Sequence, residues 1–259
     1  MISSRAIGLL REEYAMAADV LEVRCVGNTS IVLHKKSTTP LEKGLNVIAP
    51  FSFRTVTVEG ERVIHCSIYP ALHDIASAHF ERWSSAPFSA DALSALHAEL
   101  LPTLASWGYD GSKFPCRYGV ARLLSERGVA EQPKRENVRI LNENDAKRPS
   151  LVTMHLSDGI ARGAAGYITE RGEVAVMAAV NGALDVHRLS EIGVECAPQY
   201  RRQGIATAVT ACLCAYLLDI GKTPLYCHYH DNLASAALAA RVGFLLVGAF
   251  YTHQAWRRN

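Results

Sequence analysis

Hydrophobic and polar positions change period repeatedly along this chain, and each change predicts an element. Ala6, Ile7, Leu9, Leu10, Tyr14 and Ala15 recur at helical spacing and predict a helix over 5–18. Val20 to His34 alternates instead, predicting two strands about Gly27-Asn28. Extended runs follow at Gly44 to Val58 and Arg62 to Ile68, with Glu59-Gly60-Glu61 as the hairpin turn between them. Helical periodicity returns at Pro70 to Trp83, and at Ala90 to Trp107 after a Ser89 cap. The run Phe114 to Arg127 is predicted to include another helix, ending at Gly128.

Between Val129 and Pro149 the composition turns polar and charged, interrupted by a short strand at Val138 to Leu141. A junction is predicted near 129–136, dividing the chain into an N-terminal α/β region over 1–130 and a second domain over 131–259. In the second domain Leu151 to Leu156 reads as a short element. Strands are predicted at Ala164 to Thr169 and Val174 to Val180, joined by a tight turn at Arg171-Gly172. Then come a strand over 189–196, a helix over 204–220, a strand at Leu225 to Tyr229, a helix at Leu233 to Val242, and strands after Gly243-Phe244. This alternation implies a parallel pairing inside a mixed sheet, hence an α/β fold of the α+β mixed-sheet kind.

Composition narrows the possible functions. The 259 residues are 49% hydrophobic and 20% charged, as expected of a folded globular protein. A net charge of +2, with no long basic run, argues against a nucleic-acid partner. The most apolar window, Ile205 to Ile220, is too short to span a bilayer, and the N-terminus lacks a signal-peptide core, so no membrane partner is expected. Seven scattered cysteines with no C-x-x-C pair read as reduced thiols of a cytoplasmic protein without a metal site.

The chemistry concentrates at Pro198-Gln199-Tyr200-Arg201-Arg202-Gln203-Gly204-Ile205-Ala206, where a strand hands over to a long apolar helix. Such a turn aims unpaired backbone N–H groups outward at the positive end of the helix dipole, and a phosphate or pyrophosphate is its natural guest. A dinucleotide fold would require more glycines in the turn. A P-loop would require glycine where Tyr216 stands ahead of Gly221-Lys222-Thr223, and Gly221 is better explained as a helix C-terminal glycine before Pro224. Both readings fail on spacing.

A third reading accommodates more of the chain. Arg201, Gly204 and Ala206 match R-x-x-G-x-A, preceded by Pro198-x-Tyr200-Arg201, and Asn232, Ser235 and Val242-Gly243-Phe244 form a second block downstream. In these two blocks, in this order and on these elements, the sequence resembles the GNAT superfamily of acyl-CoA-dependent N-acyltransferases. The resemblance implies a GNAT-type acetyltransferase fold with an N-terminal α/β extension, and acetyl-CoA as co-substrate. It implies that backbone N–H groups of Arg201, Arg202, Gln203, Gly204, Ile205 and Ala206 cradle the CoA pyrophosphate. The strand around Val194 and Cys196 would pair with the pantetheine arm. Asn232, with Ser235, would contact the same arm, although Asp231-Asn232 also reads simply as a helix N-cap.

The implied reaction is direct attack of a neutral amine on the thioester, so a base must take the amine proton, directly or through water. Glu191 and Glu195, four apart on the predicted strand, are the candidates, and share a face if the strand is regular. A bulge would break that parity, and either glutamate could instead be a solvated edge residue. One departure stands out. Where many family members carry a tyrosine that protonates the leaving thiolate, this chain has Ala239, leaving Ser235, Tyr229, His228 or His230 as substitutes.

The segment Tyr226 to Ser235 further resembles one branch, the antibiotic-resistance acetyltransferases of the zwittermicin-resistance and kasugamycin (aminoglycoside 2′-N-acetyltransferase) type. That implies a small cationic amine substrate held by carboxylates such as Glu173, Asp185, Glu191 and Glu195. The N-terminal region would wall the acceptor cleft, its aromatics Tyr69, Phe80, Trp83, Trp107 and Tyr109 being mostly core. Two alternatives remain beside it, a protein or peptide acetyltransferase and a non-catalytic acyl-CoA-binding module. A homodimer is left open.

Overall fold

The computed structural model describes residues 20–26, 29–35, 44–58, 61–82, 90–112, 117–124, 129–130, 135–186, 188–252 and 254–258. The helix expected over 5–18 lies outside them. The described residues pack as two compact units. One is 120–247; the other combines the residues before 120 with those from 248 onward.

In the latter unit β1 (Val20–Val26) and β2 (Thr29–Lys35) form the expected antiparallel pair. After the short β3 (Val47–Ile48), β4 (Phe51–Val58) and β5 (Glu61–Ile68) close a hairpin with Val58 opposite Glu61, and β5 runs parallel to β2. Helix α1 (His73–Arg82) precedes α2 (Ala90–Ser106), which presents Leu93, Leu96, Leu100 and Leu104 at helical spacing to a core that includes Ile64, Ile68 and Leu72. Tyr69 and Tyr109 are buried and Trp107 packs beside them, as expected of core aromatics. The side chains of Phe80 and Trp83 are outside the described residues. β6 (Tyr109–Asp110) follows.

The helix expected within 114–127 is absent from the described part of that stretch, where β7 (Arg117–Leu124) stands instead. Gly119, Ala121 and Leu123 are buried while Val120 and Arg122 are only half-buried, a period of two. Alanine, arginine and leucine favour helix in isolation, but the chance to fill a sheet position outweighs a preference worth tenths of a kcal/mol.

The 120–247 unit begins its own run with β8 (Val138–Ile140), then α3 (Leu156–Arg162), β9 (Ala164–Ile168), β10 (Val174–Val186) and β11 (Leu189–Cys196). These are followed by α4 (Ile205–Asp219), β12 (Thr223–Tyr229), α5 (Leu233–Val242) and β13 (Phe244–Thr252). Strand order is β13-β7-β12-β11-β10-β9-β8. β8 to β11 pair antiparallel, whereas β11 and β12 pair parallel with α4 as the crossover. The fold is therefore mixed α/β. Helix α3 was not anticipated: its Gly159 lies so close to β10 that a methyl group there would collide with Met177 Cε, so the glycine that weakens the helical pattern is what lets the helix sit down.

Asp145 anchors the polar segment between β8 and α3. It is 1% exposed and accepts from Arg139 Nη1 and Nη2 at 2.7 and 2.6 Å, from Arg148 Nε at 2.6 Å and from the Asn142 N–H at 3.0 Å. In the other unit the closing strand β14 (Ala255–Arg257) pairs with β3 and β6, and the end of β13 pairs with β4.

Candidate active site

β11 keeps the alternation its sequence predicts. Ile192 is in the core beneath α4, with Val194 and Cys196 packed against it, so Glu191, Gly193 and Glu195 point to the opposite face. The register of β11 against β10 slips between Val180 and Asp185, an insertion carried by β10 opposite Glu191. The two glutamates thus share a face, and the irregularity sits in the neighbouring strand.

On its other side β11 pairs with β12 over Leu189↔Thr223, Ser190↔Pro224, Glu191↔Leu225 and Ile192↔Tyr226, and the pairing ends there. Val194 to Cys196 therefore keep one strand edge without a ladder to β12. This leaves an opening between parallel strands, walled by residues of β11 on one side and of β12 and α5 on the other.

Below the end of β11 the chain makes a 3-10 turn at Pro198–Tyr200 and enters α4 through a loop with two left-handed residues, Arg202 (φ 59) and Gly204 (φ 74). A side-chain-bearing residue in that conformation costs on the order of 1 kcal/mol, so Arg202 marks a loop held in a specific shape. The first intrahelical bond runs from the Ala208 N–H to the Gly204 carbonyl at 3.1 Å, and Gly204 provides no side-chain cap. The amides of the first turn are left for an anion. Arg201 Nε donates back to the Cys196 carbonyl at 3.2 Å, and Arg135, from the junction segment, donates to the Gln203 carbonyl at 2.6 Å. α4 is apolar almost all round and deeply buried, and its C-terminal carbonyls are closed by Gly221 (φ 78) and Lys222.

At the far wall Asn232 caps α5, its Oδ1 accepting from the Ser235 N–H at 3.0 Å. The Ser235 hydroxyl hydrogen-bonds the Tyr226 side chain, whose acidity is suppressed by burial. Ala239, at the position where the resemblance would place a tyrosine, is fully buried in the core.

These pieces enclose a cleft of about 750 Å³. Of the predicted site residues, Val194, Glu195, Cys196, Arg201, Arg202, Gly204, Ile205, Ala206, Asn232 and Ser235 all line it. Gln203 does not, because its side chain turns back to donate to the Gln199 carbonyl at 2.9 Å. Glu191 lies outside the lining too, one residue from the last paired position of β11, with Asn181 Nδ2 3.4 Å from its Oε1. Tyr226, Arg241 and Arg135 were not foreseen. None of the three carries a local signal: Tyr226 meets the cleft through its pairing with Ile192, Arg135 reaches the loop at Gln203, and Arg241 lines the cleft from α5.

Glu195 is occupied. Its carboxylate accepts from the Thr153 N–H at 2.9 Å, the Thr153 hydroxyl at 3.0 Å and the Met154 N–H at 2.8 Å. Partial burial pushes its acidity down, but those hydrogen bonds and the Arg201 charge outweigh it and hold the carboxyl below its ordinary range.

The cleft thus combines an amide-lined anion loop, a parallel strand pair that stops pairing and a capped helix, an arrangement suited to a phosphate-bearing, extended ligand. Comparison with known proteins agrees with the class. Residues 155–252 match the GNAT acetyltransferase family model, which supports the GNAT superfamily and acetyl transfer for this part of the chain. Solved structures it is similar to include a GNAT-family acetyltransferase from Novosphingobium aromaticivorans, 19% identical over 56% of this chain and 67% of that one, TM-score 0.45. Others are a GNAT-family acetyltransferase from Colwellia psychrerythraea, 13% identical over 98% of each chain, TM-score 0.47, and a GCN5-related N-acetyltransferase-like protein from Streptococcus suis, 14% identical over 99% of each, TM-score 0.41. No curated protein matches significantly. No helix among the described residues is long and apolar enough to cross a membrane.

Proposed function

We propose that the protein is an acetyl-CoA-dependent N-acetyltransferase acting on a primary amine of a small cationic molecule, plausible acceptors being aminoglycosides such as kasugamycin. The observation that carries the reading is the cleft in which the Arg201–Ala206 loop, the unpaired edge of β11 and the capped start of α5 converge. Its residues fit CoA: uncapped helix amides and Arg201, Arg202 and Arg241 for the phosphates, and the edge at Val194 and Cys196, beyond the end of the β12 ladder, for the amide-bearing arm. When bound, acetyl-CoA supplies the activated acetyl group.

Glu191 is the group we assign to receive the amine proton, directly or through water. It lies beside the point where β11 and β12 separate, and Glu195 is committed to Thr153 and Met154. The experiment is a thiol-release assay with acetyl-CoA and a panel of kasugamycin, other aminoglycosides and polyamines. Turnover with at least one amine is expected. A non-catalytic acyl-CoA-binding role is favoured by one observation, Ala239 in place of the usual acid. Tight CoA binding in calorimetry with no turnover across the panel would establish that role instead.

A further inference from the structure

We propose that Arg135 is a positioning residue for the cofactor, fixing the Gln203–Gly204 peptide so that its N–H faces the phosphates, a role that rests on the acetyl-CoA reading above. Three observations converge. The Arg135 guanidinium donates to the Gln203 carbonyl at 2.6 Å and stands outside the cleft lining, whereas Gly204 belongs to that lining. No peptide bond among the described residues is cis, so the Gly204 N–H points away from the carbonyl that Arg135 holds. That N–H donates to no group among the described residues, which leaves it for a ligand.

This peptide needs holding. Gly204 has φ 74°, and glycine adopts the opposite sign of φ about as readily, so the peptide before it can rotate at little cost. Rotated, it would present the Gln203 oxygen to the phosphates in place of an N–H. The loop's other internal bonds do not touch that oxygen: the Gln203 side chain donates to the Gln199 carbonyl, and Arg201 to the Cys196 carbonyl. Arg135 holds it directly, and a cationic donor on the carbonyl also polarises the peptide and strengthens its N–H as a donor. Arg135 is itself anchored, its carbonyl accepting from the Val138 N–H at 3.0 Å at the start of β8. Nearby, the Ala130 N–H donates to the Val242 carbonyl at 2.9 Å, beside the cleft-lining Arg241. The segment that reads in sequence as a junction is thus tied to α5 and to the anion loop, two walls of the cofactor cleft.

The test compares CoA with pantetheine, which has the arm but no pyrophosphate, in calorimetry on the wild type and Arg135→Met, with pantetheine measured by displacement of CoA. Arg135 is exposed, so the variant keeps the fold, and the two proteins are compared at equal folded fraction. Arg135→Met weakens CoA binding about tenfold, the loss of one charge-assisted hydrogen bond to phosphate, and leaves pantetheine binding unchanged. The tenfold ratio persists in about 1 M salt, where a Debye length of about 3 Å removes long-range attraction. An equal loss for both ligands, no loss for CoA, or a loss that disappears at high salt overturns the positioning role and leaves the acetyl-CoA reading standing. Wild type that binds no CoA overturns that reading and the positioning role with it.

Discussion

Arg122 Nε donates to His228 Nε2 at 3.0 Å, and that one bond settles the tautomer of a buried histidine. Arginine has no acceptor, so Nε2 must present its lone pair. The ring proton is then on Nδ1, which donates to the Tyr229 carbonyl at 2.8 Å. Both nitrogens are committed, and neither offers a proton to a leaving group. Among the substitutes considered for the missing tyrosine, His228 is therefore a structural residue. His228→Ala is expected to cost about 1–3 kcal/mol of stability by stranding its polar partner, read as a lower denaturant midpoint. Kcat per folded molecule should change less than threefold.

Glu195 should behave as a strut. Glu195→Gln places an amide donor against the donors of Thr153 and Met154, at an expected cost of about 1–3 kcal/mol at pH 7. The sign of the pH dependence follows from the lowered folded-state pKa. A depressed carboxylate contributes stability above its unfolded value, near 4.3, and loses it as pH falls through the folded value. Wild type and variant midpoints should differ at pH 7 and converge below about pH 4. A constant gap across that range would show that the carboxylate charge is not what holds the 153–154 segment.

Asp145 carries the same argument further. It is held far below the ordinary carboxylate range chiefly by Arg139, against a burial penalty, with help from the Asn142 N–H and Arg148. Asp145→Ala leaves two part-exposed guanidinium groups and the Asn142 N–H without their shared partner and is expected to cost about 1–3 kcal/mol, measured by urea denaturation. The wild-type contribution persists at neutral pH and drains away only under strong acid.

Gly204 tests the anion loop. Its φ of 74° is one that a β-carbon resists by about 1–2 kcal/mol. A methyl group added there would find Arg135 Nη2 as its nearest neighbour, 3.5 Å away, so the penalty is conformational rather than steric. Gly204→Ala should weaken CoA binding at least about tenfold in calorimetry, as 1.4 kcal/mol of loop distortion implies, while the overall far-UV spectrum is retained.

The parts of the fold that were readable in sequence are those where local and tertiary demands agree. Arg201, Gly204 and Ala206 announce the loop because left-handed backbone, exposed amides and close helix packing restrict residue choice at adjacent positions. Asn232 announces α5 because a cap must be a short acceptor. Where the demands diverge, the pattern misleads. Ala121 and Leu123 look helical and sit in β7, since the sheet needed small and branched groups at alternate positions. Gly159 hides α3 because contact with Met177 outweighed helix propensity. Tyr226 and Arg135 carry no local signal, since their importance comes from Ile192 and Gln203, distant in sequence.

Glu191 is the sharpest test of the proposed chemistry. It differs from Glu195 in position: Glu191 lies one residue from the last β11 position paired with β12, whereas Glu195 accepts two backbone N–H groups and a hydroxyl below 3.1 Å. A carboxylate held by short bonds from fixed donors is a poor proton acceptor, because protonation sacrifices them. Glu191→Gln preserves size and the contact with Asn181 while removing the basic oxygen. The expectation is a loss of about 100-fold or more in kcat, with CoA affinity unchanged because Glu191 does not line the cleft. If Glu195→Gln produced that loss at equal folded fraction and Glu191→Gln did not, the assignments of base and strut would have to be exchanged.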